Sequence, residues 1–427
     1  MQYDLGQAEI KNNNIDTLIE LAVFGADNQM REEHQRIIRE MAISQGIYPA
    51  SIQGLYEAAG KGLYSGITVP AINIRGITYH VARAVFRAAM KYNVGAFIFE
   101  IARSEIGYTL QSPGEYAACV LAAAIREDFK GPIFIQGDHY QVRRKMYREN
   151  ADAELNDIKE LIRESISAGF LNIDIDASTL VDIDKKDLKK QQAKNSRITA
   201  EMTRFIRSIE PEGTTISIGG EIGEIGKGNS TVADLRAFTD GYLEQLGDNV
   251  KGISKISVQT GTSHGGVVLP DGSIAEVNID FNTLKELSGL AREEYGMGGA
   301  VQHGASTLPD EAFDMFPKVN TVEVHLATGF QNLIYDSLHF PEEILKEINK
   351  HLATKYKEER NKQDTEEQFL YKTRRKAFGD FKKELWHLPE SNLNEIMKEL
   401  ENRFSLIFHK LNVVNTTELV KEYVTSP

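Results

Sequence analysis

The chain has 427 residues, 41% of them hydrophobic, enough to bury a large core in one α/β domain with extensions or in two or three domains. A formal net charge of -13 disfavours non-specific binding to nucleic acid or to an anionic membrane, while leaving room for a local positive pocket that holds a small anionic ligand. The single cysteine, Cys119, excludes an internal disulfide framework and a cysteine zinc knuckle, so any metal would need histidine and carboxylate ligands.

The N-terminal stretch MQYDLGQAEIKNNNID has no basic segment followed by an apolar one, and no apolar run approaches bilayer-spanning length. The expectation is a cytoplasmic protein without membrane contact. Residues 1–64 carry helix-like spacing of charged and apolar positions and no strand signal, which predicts a helical N-terminal extension. The pattern then changes to short β-rich runs: ITVPAIN (67–73), GAFIFE (95–100), PIFIQGD (132–138), FLNIDID (170–176), TTISIGGE (214–221), GISKISVQ (252–259), GAVQH (299–303) and VNTVEVH (319–325).

Amphipathic stretches such as YHVARAVFRAAMKY and ELNDIKELIRESISAG separate them, each long enough for a crossover between parallel strands. Eight such units predict a (β/α)8 TIM barrel over 65–340. An open doubly wound sheet would call for a glycine-rich phosphate turn after its first strand, and NIRGITYH is not one. From residue 341 to 427 the chain reads as charged helices, a C-terminal extension packed outside the barrel.

In such a barrel the catalytic groups stand at the C-terminal ends of the strands. The third predicted strand ends in Asp138 followed by His139, the fourth in Asp174 and Asp176, and the fifth in Glu221. The sixth leads to His264, the seventh ends in His303 and the eighth in His325. One buried histidine is more often a satisfied core residue than a ligand. Three of them at strand ends, with carboxylate neighbours, make a donor set that zinc accepts while leaving a position for substrate. TSHGG and QHGAS each place glycine after the histidine, so bare backbone amides can approach an anion. With Ser306 and LATG (326–329) they put candidate phosphate donors after strands six, seven and eight. Taken singly, these glycines would need to do no more than form tight turns.

These motifs resemble the class II, zinc-dependent ketose-bisphosphate aldolases. VPAINI is similar to that family's VPAFNI, GDHY to its DH pair, NIDIDAS to MIDGS, GGEIGEIG to AELGxxGG, GTSHGG to GTAHG, and VQHGASTLPDE to VLHGASxxPDE. A weaker likeness joins TRRKAFGDFK to a DPRKxLGP segment. The resemblance implies that His139, His264 and His303 hold Zn²⁺, with a second divalent ion or a monovalent cation as a further candidate cofactor. Asp138 becomes the general acid/base, and Asp176 and Glu221 supporting or alternative metal ligands. Asn73, Gly265, Gly304, Ser306 and Thr328 become substrate contacts, the last four to the first phosphate, and Arg375 the contact to a distal one. His325 stands where the family has the asparagine of NVAT, which makes it a candidate substrate contact on the ketone half, and the loop GKGNSTVAD offers no clear counterpart to the glutamate by which many members deliver a proton.

The implied reaction is reversible retro-aldol cleavage of a ketose (bis)phosphate, such as fructose 1,6-bisphosphate, to dihydroxyacetone phosphate and an aldehyde. The implied partner is a small phosphorylated sugar, and the implied assembly a homodimer or homotetramer. A metal-dependent hydrolase on the same barrel is an alternative, although VPAINI lacks the H-x-H pair such sites often carry. A non-catalytic sugar-phosphate-binding barrel is another. A Schiff-base aldolase is disfavoured because the one candidate lysine, Lys255, lies inside the sixth strand rather than at its end.

Overall fold

The computed structural model describes residues 14–223, 228–261, 269 and 279–425. All strands run parallel. Eight of them close into a barrel: β2 (Val69–Asn73), β3 (Ile98–Ala102), β4 (Gly131–Gln141), β5 (Asn172–Asp176), β6 (Ser217–Glu221), β7 (Lys255–Ser257), β8 (Ala300–Gln302) and β9 (Glu323–Leu326), with β9 pairing back onto β2. Each overlaps one of the eight predicted runs, and helices fill the connections, as a (β/α)8 barrel requires.

A ninth strand, β1 (Ile47–Ala50), lies within the segment expected to be helical throughout, and pairs with the first residues of β4. IYPA is too short and too irregular to register as period-2 alternation. Its strand character comes from its pairing with β4, and Asn172 of β5 receives the Ile52 amide at 2.9 Å and donates to the Ala50 and Ile135 carbonyls, stitching β1 into the barrel base. The following helix, Gln53–Gly60, sends Tyr56 to donate a hydrogen bond to Glu323 inside the barrel.

The C-terminal helices are more than a solvated shell. Helix Glu390–Lys410 buries Leu393, Ile396, Leu400, Phe404 and Phe408 on one face, with Phe404 packed 4.9 Å from Phe330 and Phe408 5.8 Å from Phe97 between ring centroids. This is the i, i+3/i+4, i+7 stripe of an amphipathic helix, and it shares the barrel's core.

The barrel's interior is polar where bulky aliphatic layers are usual. In β9, Glu323 and His325 alternate with Val324 and Leu326; in β5, Asp174 and Asp176 alternate with Ile173 and Ile175. Successive side chains of a strand face opposite ways, so the apolar set meets the outer helices and the charged set meets the lumen. Lys255 of β7, 1% exposed, fills the middle of it, donating to Gln136 at 2.6 Å and pairing with Asp174 at 3.0 Å and Glu323 at 2.5 Å. Burial works against the ammonium, but the two carboxylates outweigh it and raise its pKa. Gly219 of β6 leaves the space: a Cβ there would overlap Asp174 and crowd the lysine.

Candidate active site

Above this network, at the C-terminal ends of the strands, opens a cavity of about 830 Å³. Asn73, Asp138, His139, Glu221, His303, Gly304, Ser306, His325, Thr328 and Arg375 all line it, and Asp176 stands directly behind His139. His264 and Gly265 lie outside the described residues. The predicted positions therefore converge, as far as the described residues reach.

The centre is an imidazole pair. His139 Nε2 lies 3.1 Å from His303 Nδ1, and Asp138 Oδ1 is 3.8 Å from the same His139 nitrogen. On its other side, His139 Nδ1 faces Asp176 Oδ2 and Glu221 Oε2, each at 3.1 Å. Ionised carboxylates only accept hydrogen bonds, so Nδ1 carries the proton in the neutral ring and Nε2 presents its lone pair to His303. His303 in turn places Nε2 2.9 Å from the Ser257 hydroxyl, leaving Nδ1 to face His139. One ring nitrogen of each histidine and a carboxylate oxygen of Asp138 lie within 4.8 Å of one another, a group that could hold a divalent metal.

The charge around the pair favours a cation. Burial opposes protonation of His139, yet Asp138, Glu221 and Asp176 raise its pKa well above the usual value. Burial also pushes Glu221 up, with the neighbouring Asp176 adding to it, whereas hydrogen bonds from His139, Ser178 and Gln141 overcome burial and hold Asp176 low. The same field that binds a proton there would bind a metal ion. The carboxylates of Asp174 and Glu323, lower in the lumen, already have their cation in Lys255, so the His139–His303 pair, with Asp138 beside it, is the better-fitting metal position.

Beside it stands His325. Its Nε2 is 2.6 Å from Glu323, and its Nδ1 is 3.0 Å from Glu100 and 3.3 Å from Asp138. A ring between three carboxylates differs in kind from the neutral amide that the resemblance leads one to expect. Burial lifts the Glu100 carboxyl to about 7, with His325 opposing the rise.

The rim is basic. Arg75, Arg103, Arg143, Arg144 and Arg375 all line the cavity. Arg75 is held by Glu105 at 2.7 Å and reaches Thr328 at 3.3 Å; Arg375 lies over the Tyr108 ring at 5.4 Å. Glu154, 1% exposed, clamps two more: it pairs with Arg103 Nη1 and Arg143 Nη2, each at 2.6 Å. Arg144 has no acidic partner among the described residues. Sequence reasoning missed Glu100, Glu105 and every arginine but Arg375. FIFEIA does mark Glu100 as an inward position two residues before Ala102, but Glu154 sits on a helix beyond the strand it serves, and only the fold brings it to Arg103.

The family model for fructose-bisphosphate aldolase class-II matches residues 51–392. The chain belongs to the class II fructose-bisphosphate aldolase family. A curated relative, the fructose-bisphosphate aldolase of Giardia intestinalis, is 25% identical over 163 residues, covering 38% of this chain and 43% of that protein, so the match spans less than half of the relative's length. Among solved structures, the fructose-bisphosphate aldolase of Campylobacter jejuni superposes with a TM-score of 0.51 at 17% identity, over 87% of this chain and 97% of that one. A fructuronate-tagaturonate epimerase of Cohnella laeviribosi gives 0.55 at 11% identity, over 92% and 86%. At these identities the two structures share the fold. No described helix is long and apolar enough to cross a membrane.

Proposed function

We propose that the chain is a metal-dependent aldolase that reversibly cleaves a ketose carrying an anionic group at each end, a bisphosphate being the simplest. The observation that carries this reading is the convergence of His139 Nε2 and His303 Nδ1 to 3.1 Å beside Asp138, with His139 oriented from behind by Asp176 and Glu221. His139 and His303, with His264 as third candidate, would hold Zn²⁺. When bound, such an ion acts as a Lewis acid on the substrate's carbonyl and hydroxyl oxygens, worth several kcal/mol.

The remaining work falls to the chain's own groups. Asp138 accepts the proton of the C4 hydroxyl as the C3–C4 bond breaks, and returns it in the condensation direction; a positioned acid/base supplies roughly 10²- to 10⁴-fold. His325, held by Glu323, sets the orientation of Asp138 and faces the substrate. Gly304, at φ 69° in the left-handed region that glycine tolerates, exposes its amide beside Ser306. Thr328 opens the helix Thr328–Asp336, whose N-terminal amides also favour an anion. Gly329 lets that helix approach the Ser306 carbonyl, closing the two loops into one receptor for the first phosphate, with Asn73 and Arg75 at its edge.

β4 stands across the barrel from β8, so the arginine arc after β3 and β4 faces this receptor over the metal position. Arg375, Arg103, Arg143 and Arg144 supply the second anion contact. A Schiff-base role for Lys255 is disfavoured: it is enclosed, paired twice, and kept as an ammonium.

The test is a panel of fructose and tagatose bisphosphates, monophosphorylated ketoses and sulfonated analogues, with triose phosphate release read by a coupled dehydrogenase before and after chelation. Release that chelation abolishes supports the reading; no release from any ketose sinks it. The His325–Glu100 pair favours one second reading, proton transfer at a carbon beside a carbonyl as in an epimerase, for which the product would have the substrate's mass. A hydrolase would instead release inorganic phosphate or another hydrolysis product, and a non-catalytic binder no product.

A further inference from the structure

Asp138 and His139 are consecutive, and in a regular strand consecutive side chains point to opposite faces. Both nevertheless enter the cavity. The pairing of β4 with β5 shows how: Gly137 lies opposite Ile173, but the next partners are Tyr140 and Ile175, so β4 advances three residues while β5 advances two. The extra residue makes a bulge, and within it His139 has φ 42°, a conformation that non-glycine residues rarely adopt. Such a conformation persists only where its surroundings over-determine it.

Gly137 and Tyr140, on either side of the bulge, face outward together. The Tyr140 ring folds back over Gly137 and occupies the space a Cβ there would need, Cζ, Cε1 and the hydroxyl all overlapping that position. The ring is fully buried, and its hydroxyl is hydrogen-bonded to Ser165 of helix Ala151–Ala168, whose own hydroxyl donates to the Leu161 carbonyl at 2.7 Å. Tyr140 thus bridges the bulge from behind and ties it to a helix.

We infer that Tyr140, seated on Gly137 and pinned by Ser165, is a positioning residue that holds His139 in its ligand conformation and so sets the metal affinity of the site. This rests on the metal reading above. Groups that orient a metal's ligands typically change affinity by about 10- to 100-fold when altered. The glycine and the tyrosine are matched: a side chain at Gly137 expels the ring, and a smaller side chain at Tyr140 removes the wedge.

The test measures zinc affinity of the metal-free full chain by competition with a chromophoric chelator, with the visible spectrum of the cobalt-loaded protein as a second readout of ligand geometry. Gly137→Ala and Tyr140→Leu are expected to weaken zinc binding by about 100-fold and to shift the cobalt bands while unfolding cooperatively. Tyr140→Phe and Ser165→Ala each weaken it by about tenfold, and the double variant by no more than either alone, because both remove one contact. Parent-like affinity in folded Gly137→Ala and Tyr140→Leu overturns the inference. If those two do not fold, parent-like affinity in Tyr140→Phe overturns it. An unmodified chain that binds no zinc would instead overturn the metal reading itself.

Discussion

Two strand ends meet at the cavity floor and reach it by different means. β9 delivers Glu323 and His325 by plain alternation, two residues apart on one face, with Val324 and Leu326 turned to the outer helices. β4 delivers Gln136 and Asp138 in the same way, then breaks register to add His139. The regular end builds a closed electrostatic network in which His325 is held by Glu323 and Glu100. The irregular end sets the proposed base and a proposed metal ligand side by side, so that a bound metal and the proton acceptor would meet neighbouring substrate oxygens. Alternation alone can place only every second residue; the chemistry proposed here asks for two in succession.

The sharpest test of that contrast removes one histidine from each end. His139→Ala is expected to abolish stoichiometric zinc and to lower kcat/KM for cleavage by at least about 10³-fold, the equivalent of several kcal/mol of Lewis-acid assistance. His325→Ala should retain zinc by metal analysis and lose about 10²-fold in turnover through Asp138. Equal zinc loss in both variants would erase the distinction between the two ends.

Within the β4 end, Asp138→Asn should keep zinc and substrate binding while kcat falls roughly 10²-fold or more, because the amide cannot accept the proton. Loss of zinc in that variant would assign Asp138 to the metal rather than to the base. At the rim, Arg144→Ala and Arg375→Ala should each cost a bisphosphate about 1.5 to 3 kcal/mol in kcat/KM and leave a monophosphorylated ketose almost unchanged. Equal losses on both substrates would mean that the arginines support the fold.

The smallest effect concerns pH. The Glu100 carboxyl is raised to about 7, above the value near 4.5 that it has in an unfolded chain. Between those values the folded state holds a proton that the unfolded state has shed. The stability from this group is therefore present at low pH and is lost as pH rises through 7. Glu100→Gln should flatten that slope, gaining on the order of 3 kcal/mol relative to the parent at pH 8 and under about 1 kcal/mol at pH 5. Thermal melts across that range check it, and an unchanged slope would show that Glu100 is not the group that titrates.

What the sequence determined by itself is periodic or local. Eight β-rich runs with helical connectors gave the barrel, because alternation and crossover length are properties of contiguous residues. Strand-end histidines and carboxylates marked the cavity floor, because the C-terminal ends of the strands share one face whatever the connections do. Tertiary structure alone decided the rest. IYPA became a strand because β4 offered it a partner at the barrel base. Lys255 became an internal counter-ion because Asp174 and Glu323 reach it from two other strands, separated from it by 81 and 68 residues of chain. Glu154 gathered Arg103 and Arg143 from beyond the ends of two different strands. His139 could face the same way as Asp138 only through a bulge, with the Tyr140 ring over Gly137 beside it. Each of these depends on contacts between segments far apart in the chain, or on one backbone torsion, and neither leaves a period in the sequence.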